Sequence, residues 1–279
     1  MIIKVLAENT SICEKFGCEH GLSLYIETQG KKILFDVGAS DLFYENAKKL
    51  NVNIADVDFL IISHGHYDHG GGLEKFLEEN KTAEVFIHKL AFEKHYVLHQ
   101  EGSTALIELD EKLKLNKQII LTSDRFFIGK GIQVFSNIEK RDSLPVSNRG
   151  LLAEQNGQMV DDSFAHEQNL IIEKEGKTIL FTGCAHNGIK NIIEHFYKLK
   201  GRMPDFVIGG FHLSRSSGIS EPDENIDGLG RYLLNTGAKY YTCHCTGVGP
   251  YNRLKAIMGD YIEYLSAGVT IGSLINMQE

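Results

Sequence analysis

The chain of 279 residues is long enough for one large domain or two fused halves, and 42% hydrophobic with 24% charged residues is the balance of a soluble globular protein. A formal charge of −8 removes any general attraction to nucleic acid or an anionic membrane, and no apolar run approaches the roughly 18 residues of a spanning helix. The five cysteines (Cys13, Cys18, Cys184, Cys243, Cys245) are odd in number and form no CxxC pair, which argues against a disulfide framework or a zinc ribbon.

MIIKVLAENTS opens as a short strand and lacks the apolar core and small-residue cleavage site of a secretory signal, so a cytoplasmic location is expected. LYIETQGKKILF, from Leu24, alternates around a Gly-Lys turn and predicts a β-hairpin. Asp41 to Leu50 carries Leu42, Phe43, Ala47 and Leu50 at helical spacing. A buried type of strand, Phe59 to Ile62, then runs into HGHYDH, His64 to His69. His64 and His66 are two apart, so an extended backbone projects them to the same side, where they can grip one cation. Asp68 and His69 follow as the chain turns and can serve a neighbouring cation. Imidazole with carboxylate suits Zn²⁺ first, with Fe or Mn as alternatives. Gly70, Gly71 and Gly72 let the backbone turn tightly into a helix from near Leu73. The bland alternative is a solvated, His-rich turn. Three histidines and an aspartate between a buried strand and three glycines argue against it. Leu90 to Leu115 reads as a helical insertion or cap.

The later chain repeats the earlier one. LIIEKEGKTILF begins at Leu170, an offset of 146 from Leu24, and at the same offset His20 falls opposite His166. Asp205-Phe206-Val207-Ile208 matches Asp58 to Ile61 at offset 147, and runs into His212 as its counterpart runs into His64. Gly188 to Leu199 supplies a second amphipathic helix. Hairpin, helix and strand thus recur in order. The expected architecture is α/β, one αββα sandwich over 1–279 with related halves of about 1–145 and 146–279.

HGHYDH resembles the HxHxDH signature of the metallo-β-lactamase superfamily, whose αββα fold of two related halves agrees with the repeat. EHGLS, LFDVG, TGCAHNGI, IGGFHL and CHCTG resemble the subgroup associated with 7,8-dihydropterin-6-methyl-4-(β-D-ribofuranosyl)aminobenzene-5′-phosphate synthase. The resemblance implies a two-metal site, with His64 and His66 on the first metal and Asp68 and His69 on the second. His244 in TCHCTG fits the last ligand position. The third histidine of the first metal is His166, by its place before the later hairpin, or His186. His186 is preferred, because GCAHNG is an odd composition for a turn serving packing alone. Helix capping for His186 and an ordinary surface place for His166 are the bland readings. Cys184 stands where many members carry a bridging aspartate, and is either a thiolate ligand or a small buried residue.

The repeat places His212 near the site, for substrate contact or proton transfer, with a satisfied core histidine as its alternative. His20 and Glu19 hold the mirrored place and are candidates for positioning substrate or ligands. Cys243 and Cys245 alternate with His244 along a strand, so both should face away from the metal. His88, His95, His99 and His195 read as structural or exposed. Arg149 and Arg215, in loops near histidines, are either solvated or bidentate donors to a substrate phosphate.

The expected chemistry is attack by metal-activated water on an ester-like, phosphoester or cyclic amide centre of a small molecule, without nucleic acid or membrane. Asp68 would orient the water and accept its proton, and His212 would protonate the leaving group. The subgroup instead implies joining a pterin to a ribofuranosyl phosphate compound. A diiron-type redox enzyme is the rival on this fold, but such members resemble HxExDH, with glutamate where His66 stands, and carry a flavin domain for which no residues remain. A non-catalytic metal-binding sensor would lose ligands first, and HGHYDH is whole. A nuclease would show a basic patch.

Overall fold

The computed structural model describes residues 1–272 apart from residue 216. In chain order, β1 (Ile2–Ala7) is followed by the hairpin β2 (Ser23–Thr28) and β3 (Lys31–Phe35), α1 (Leu42–Lys49), β4 (Phe59–Ile62), the short α2 (Tyr67–Gly70), α3 (Leu73–Glu79) and β5 (Glu84–His88). Then come β6 (His95–Leu98), β7 (Thr104–Leu106), β8 (Ile119–Thr122), β9 (Arg125–Gly129), β10 (Ile132–Phe135), β11 (Leu151–Gln155) and β12 (Gln158–Asp161). The rest is β13 (Asn169–Lys174), β14 (Lys177–Thr182), α4 (Ile189–Lys200), β15 (Phe206–Gly209), α5 (Asp223–Asn235), β16 (Lys239–Thr242), α6 (Val248–Met258), β17 (Ile262–Tyr264) and β18 (Thr270–Gly272). No described helix is long and apolar enough to cross a membrane.

Two seven-stranded sheets result, in the orders β18-β1-β2-β3-β4-β5-β8 and β17-β16-β15-β14-β13-β10-β9. In each, an antiparallel hairpin (β2 with β3, β13 with β14) leads into strands added in parallel (β4 and β5, β15 and β16). The internal repeat is therefore a repeat of topology. The edges cross over: β9 and β10 precede residue 146 yet belong to the second sheet, and C-terminal β18 pairs with β1 in the first.

Strand alternation explains the layering. Leu24, Ile26, Ile33 and Phe35 of one sheet meet Leu170, Ile172, Ile179 and Phe181 of the other, with the Phe35 and Phe181 rings 6.1 Å apart. The opposite faces bury Leu34, Leu60 and Ile62 against Phe43, Leu73 and Phe76, and Ile171, Leu180 and Val207 against Ile192, Phe196 and Leu233. Strands apolar on both faces belong inside such a stack, where each fully buried side chain of this size contributes about 1.5–3 kcal/mol. The architecture is an αββα sandwich.

Residues 90–115 are not the expected helical insertion. They contain β6 and β7 with a short turn of 3-10 helix, and join β11 and β12 in a third sheet of order β12-β11-β6-β7. The run His95-Tyr96-Val97 finds a partner in Leu151–Ala153, remote in the chain, and a local apolar pattern cannot encode that pairing. Two of the three glycines also act differently from expectation. Gly71 and Gly72 have ordinary φ values of −62° and −79°. A Cβ on them would fall 2.3 Å from the Ala39 carbonyl oxygen and 2.5 Å from that of Val37, so they are needed for close approach rather than for a turn.

His88 ends β5 as a buried residue whose Nδ1 accepts the Leu90 N–H at 3.3 Å. Burial, with His166 and Lys89 adding to it, pushes its pKa down to about 4 from 6.5. The unfolded chain thus takes up the proton first. The stability involved is whole above pH 6.5 and is lost as pH falls toward 4, by up to about 3 kcal/mol. His88→Gln should flatten this part of the acid limb in urea titrations at pH 7 and 4.5. Parallel losses in the two proteins would contradict the assignment.

Candidate metal centre

Because β3, β4 and β5 are parallel, as are β14, β15 and β16, their C-terminal ends deliver their loops to one edge of the sandwich. HGHYDH follows β4, the turn Gly183 to His186 follows β14, His212 follows β15 and His244 follows β16. The loops interlock closely: a Cβ on Gly183 would lie 2.1 Å from Ser63 Oγ.

Two groups of side chains converge there. His64 Nε2 lies 3.1 Å from His66 Nδ1 and 3.3 Å from His186 Nε2. His69 Nε2 lies 3.1 Å from both His244 Nε2 and Cys184 Sγ, while Asp68 Oδ2 is 3.2 Å from His244 Nε2 and 3.7 Å from His69 Nε2. Cys184 belongs to both, with His64 and His186 in one set that could hold a metal ion and with Asp68, His69 and His244 in another.

Hydrogen bonds on the far side of each ring fix where its proton sits. His69 Nδ1 donates to Asp36 Oδ2 at 2.7 Å. The Ser63 hydroxyl also donates to Asp36, at 2.8 Å, so its oxygen accepts from His64 Nδ1 at 2.8 Å. Asn148 Nδ2 donates to the His186 carbonyl, which turns Asn148 Oδ1 toward His186 Nδ1 at 2.9 Å. Asn9 Oδ1 accepts the Gly21 N–H at 3.3 Å and faces His244 Nδ1 at 2.8 Å. With the protons on Nδ1, the Nε2 atoms of His64, His69, His186 and His244 all present lone pairs inward. Bare nitrogens opposed at 3.1 to 3.3 Å repel one another unless a cation lies among them, and this donor set fits that role.

The electrostatics agree at every histidine of the two groups but His69. Burial first, then the neighbouring histidines, hold the pKa values of His64, His66 and His186 well below the usual range. Burial outweighs Asp68 at His244 and lowers it to about 4. His69 differs: burial disfavours its charge, but Asp36 and Asp68 prevail and raise its pKa, so its Nε2 proton is one that a bound cation would have to displace. Asp68 is lowered strongly: burial opposes this, but His69, His20 and His244 outweigh it. Burial, with Cys245 adding to it, raises the Cys184 thiol, so a thiolate there needs a cation to displace its proton.

Two buried carboxylates shape the ligand loops. Glu167 accepts the N–H groups of His186 at 2.6 Å and Asn187 at 3.1 Å, and Glu8, just after β1, accepts the His244 N–H at 2.7 Å and the Tyr264 hydroxyl at 2.8 Å.

His166 stands outside these two groups. Its Nδ1 accepts the Gly65 N–H at 2.9 Å and its Nε2 faces Asp162 Oδ2 at 3.1 Å, so both ring nitrogens are engaged. His212 is buried 4.1 Å from the His186 ring, and neither of its nitrogens has a hydrogen-bond partner among the described residues. His20 stands at the rim with Nε2 3.3 Å from Asp68 Oδ2. Glu19 instead clamps the loop before α1 through the Ala39 N–H at 3.0 Å and the Ser40 hydroxyl at 2.5 Å, which leaves it no place in the cleft wall. Arg215 lines the cleft, anchored by Nη1 to the carbonyls of Arg149 at 2.8 Å and Ser147 at 3.2 Å. The Arg149 side chain is exposed and is not among the lining residues. Cys243 faces the inter-sheet core, but Cys245 turns toward Cys184 and His212. The chain has left the strand by then for a 3-10 turn, His244–Thr246, entered at a φ of 53°, so alternation no longer applies.

Sequence reasoning missed Asp36, Asn9, Asn148, Glu8, Glu167, Asp162 and His95. Asp36 alone carried a signal, as the acid just after β3 in LFDVG. A cleft of about 330 Å³ is lined by His66, Asp68, Cys184, His186 and His212 together with Tyr67, Val97, Ile107 and Leu151. The arrangement can hold cations beneath a small substrate that it surrounds with one arginine and apolar side chains.

The model of the metallo-beta-lactamase superfamily matches residues 16–221. The chain is 32% identical over 271 residues to a Methanocaldococcus jannaschii protein named 7,8-dihydropterin-6-methyl-4-(beta-D-ribofuranosyl)-aminobenzene-5'-phosphate synthase, covering 92% of this chain and 90% of that one. It is 30% identical over 264 residues to an uncharacterized protein of the same organism, covering 92% and 94%. Among solved structures, one described as a metal-dependent hydrolase of the beta-lactamase superfamily superimposes with a TM-score of 0.82 at 29% identity, covering 98% of both chains. Zn²⁺-bound PqqB from Methylobacterium extorquens shares the fold at 12% identity and a TM-score of 0.58, covering 98% of this chain and 100% of that one. With the strand order, the converging histidines and these matches together, the chain belongs to the metallo-β-lactamase superfamily.

Proposed function

We propose that the protein is a metal-dependent enzyme acting on a small anionic molecule. In this reading His64, His66 and His186 hold one divalent cation, Asp68, His69 and His244 hold a second, and Cys184 lies between them. The convergence of four Nε2 atoms on one buried space, each ring held from behind through Nδ1, carries the proposal. Imidazoles with one thiol favour Zn²⁺, with Fe or Mn as alternatives. The cations would supply Lewis acidity and an activated water.

The remaining chemistry falls to the chain's own groups. Asp68, which lines the cleft with its carboxylate beside His20, would stay ionised and orient that water. His212 has its pKa pushed down to about 3 by burial and by Arg215, so it meets the substrate as a neutral ring offering one N–H and one lone pair. It is therefore a substrate contact rather than a stored proton. Arg215, with Nη1 tethered to two carbonyls, directs its other N–H groups to a phosphate or carboxylate. Tyr67, Val97, Ile107 and Leu151 suit a flat or hydrocarbon portion.

The compound that the M. jannaschii relative is named for making combines a phosphate with aromatic rings, and we extend that class of product and its precursors to this chain as its first test. Hydrolysis of a small phosphoester or lactone is the alternative. Protein purified without added metal should carry two equivalents of Zn, Fe or Mn, and a panel of phosphoesters, lactones and dihydropterin precursors should contain a substrate whose turnover a chelator abolishes. A carefully handled preparation with no metal would overturn the proposal.

A further inference from the structure

A second buried cluster lies behind the ligands, where Asp162, His95 and His166 gather on the outer side of His66. Asp162 Oδ2 is 3.0 Å from His95 Nδ1, 3.1 Å from His166 Nε2 and 4.0 Å from His66 Nε2, and its Oδ1 accepts the Phe164 N–H at 2.6 Å. Among the described residues, His66 Nε2 and His95 Nε2 have no hydrogen-bond partner although both rings are buried.

The protons can be assigned from hydrogen-bond chemistry alone. A backbone N–H only donates, so the Gly65 N–H places a lone pair on His166 Nδ1 and therefore the ring proton on Nε2, pointing at Asp162. Asp162 is thus an acceptor, and His166 has no lone pair left for a metal. His66 faces the other ligands through Nδ1, 3.1 Å from His64 Nε2. Once that nitrogen takes a cation, the ring must carry its proton on Nε2, and a buried N–H needs an acceptor. Asp162 Oδ2 faces it, and a ring movement of about 1 Å closes the gap to hydrogen-bond length.

We propose that Asp162 is a positioning residue for the first metal, holding the His-Gly-His run by two arms: directly on the His66 ring, and through His166 on the Gly65 backbone. The inference rests on the two-cation reading above. It also connects the metal motif to the cleft wall. Asp162 follows β12, its N–H donates to the Leu151 carbonyl at 3.0 Å, and its partner His95 begins β6, so the carboxylate is keyed into the small sheet that carries Val97 and Leu151.

Three measurements on the full chain test this. Zinc-loaded wild-type protein should show, in imidazole ¹H–¹⁵N spectra, slowly exchanging protons on Nε2 of both His66 and His166. Asp162→Asn should keep the second equivalent of metal but bind the first about 10–100-fold more weakly in chelator competition. The cobalt-substituted variant should show altered absorption for that site, with the parent spectrum partly restored in Asp162→Glu. Unchanged affinity and spectrum in Asp162→Asn, or no proton on His66 Nε2, would overturn the assignment. So would three equivalents in the wild type with one lost in Asp162→Asn, which would mark a cation among His66, His95 and Asp162. Should Asp162→Asn fail to fold, the wild-type imidazole spectrum decides alone. Wild-type protein without metal would sink the two-cation reading itself, whereas an unaltered variant of a two-metal protein sinks only the role of Asp162.

Discussion

Purified His186→Ala should carry one equivalent of metal where the parent carries two, and His166→Ala should carry both. The difference follows from where the ring protons sit. His186 has Nδ1 committed to Asn148 and directs Nε2 at His64, so its removal leaves the first group two histidines and a thiol shared with the second. His166 spends both nitrogens on Gly65 and Asp162, so its loss slackens the loop without subtracting a donor. The His186 ring also stacks on Phe164 at 4.5 Å, and its truncation should cost the metal-free protein about 1–3 kcal/mol. Metal content at equal protein concentration separates this packing loss from the loss of a ligand. Retention of both equivalents in His186→Ala, with loss of one in His166→Ala, would transfer the ligand role to His166.

Asp36→Ala should unfold the metal-free protein more readily by about 3–5 kcal/mol, read from urea midpoints. Asp36 is fully buried and accepts from the Ser63 N–H at 2.6 Å, the Ser63 hydroxyl at 2.8 Å and His69 Nδ1 at 2.7 Å. Alanine leaves these three donors stranded in a dry interior, at a cost of about 1–3 kcal/mol for each one that finds no new partner. It would also have to adopt the φ of 61° held by Asp36. Asp36→Asn separates stability from metal binding. Its amide oxygen can still accept the Ser63 N–H, but the NH₂ takes the place of Oδ2, which serves both the Ser63 hydroxyl and His69 Nδ1, and so pushes the His69 ring proton to Nε2, where the second metal would bind. That variant should keep more of the stability and lose the second equivalent. Full metal content in Asp36→Asn would show that the His69 tautomer is not set by this carboxylate.

The αββα layering was legible because burial on both faces forces apolar residues into successive positions. Phe59 to Ile62 and Phe206 to Ile208 therefore announce themselves, and so do the two hairpins at their shared offset. Helices α1 and α4 lie within one residue of the spans their spacing predicted, since an amphipathic stripe is a property of adjacent turns. Residues 90–115 failed for the converse reason: β6 lies between β7 and β11, and β11 comes from a remote stretch of the chain.

By itself the sequence determined the αββα class, the repeat and the cluster of ligand-type residues in HGHYDH, because each is written in neighbouring residues whose periodicity or spacing has one economical physical reading. Tertiary structure alone decided which nitrogen of each ring faces inward. That choice depends on Asn9, Glu8, Asp36, Asn148, Asp162 and Glu167, drawn from separate loops and strands, and a hydrogen bond carries no trace in sequence spacing when its partners are 235 residues apart, as Asn9 and His244 are. It is also why Cys184, unremarked by any periodicity, stands between the two groups, while His166, mirrored with His20 in the repeat, holds the backbone of the metal motif from behind.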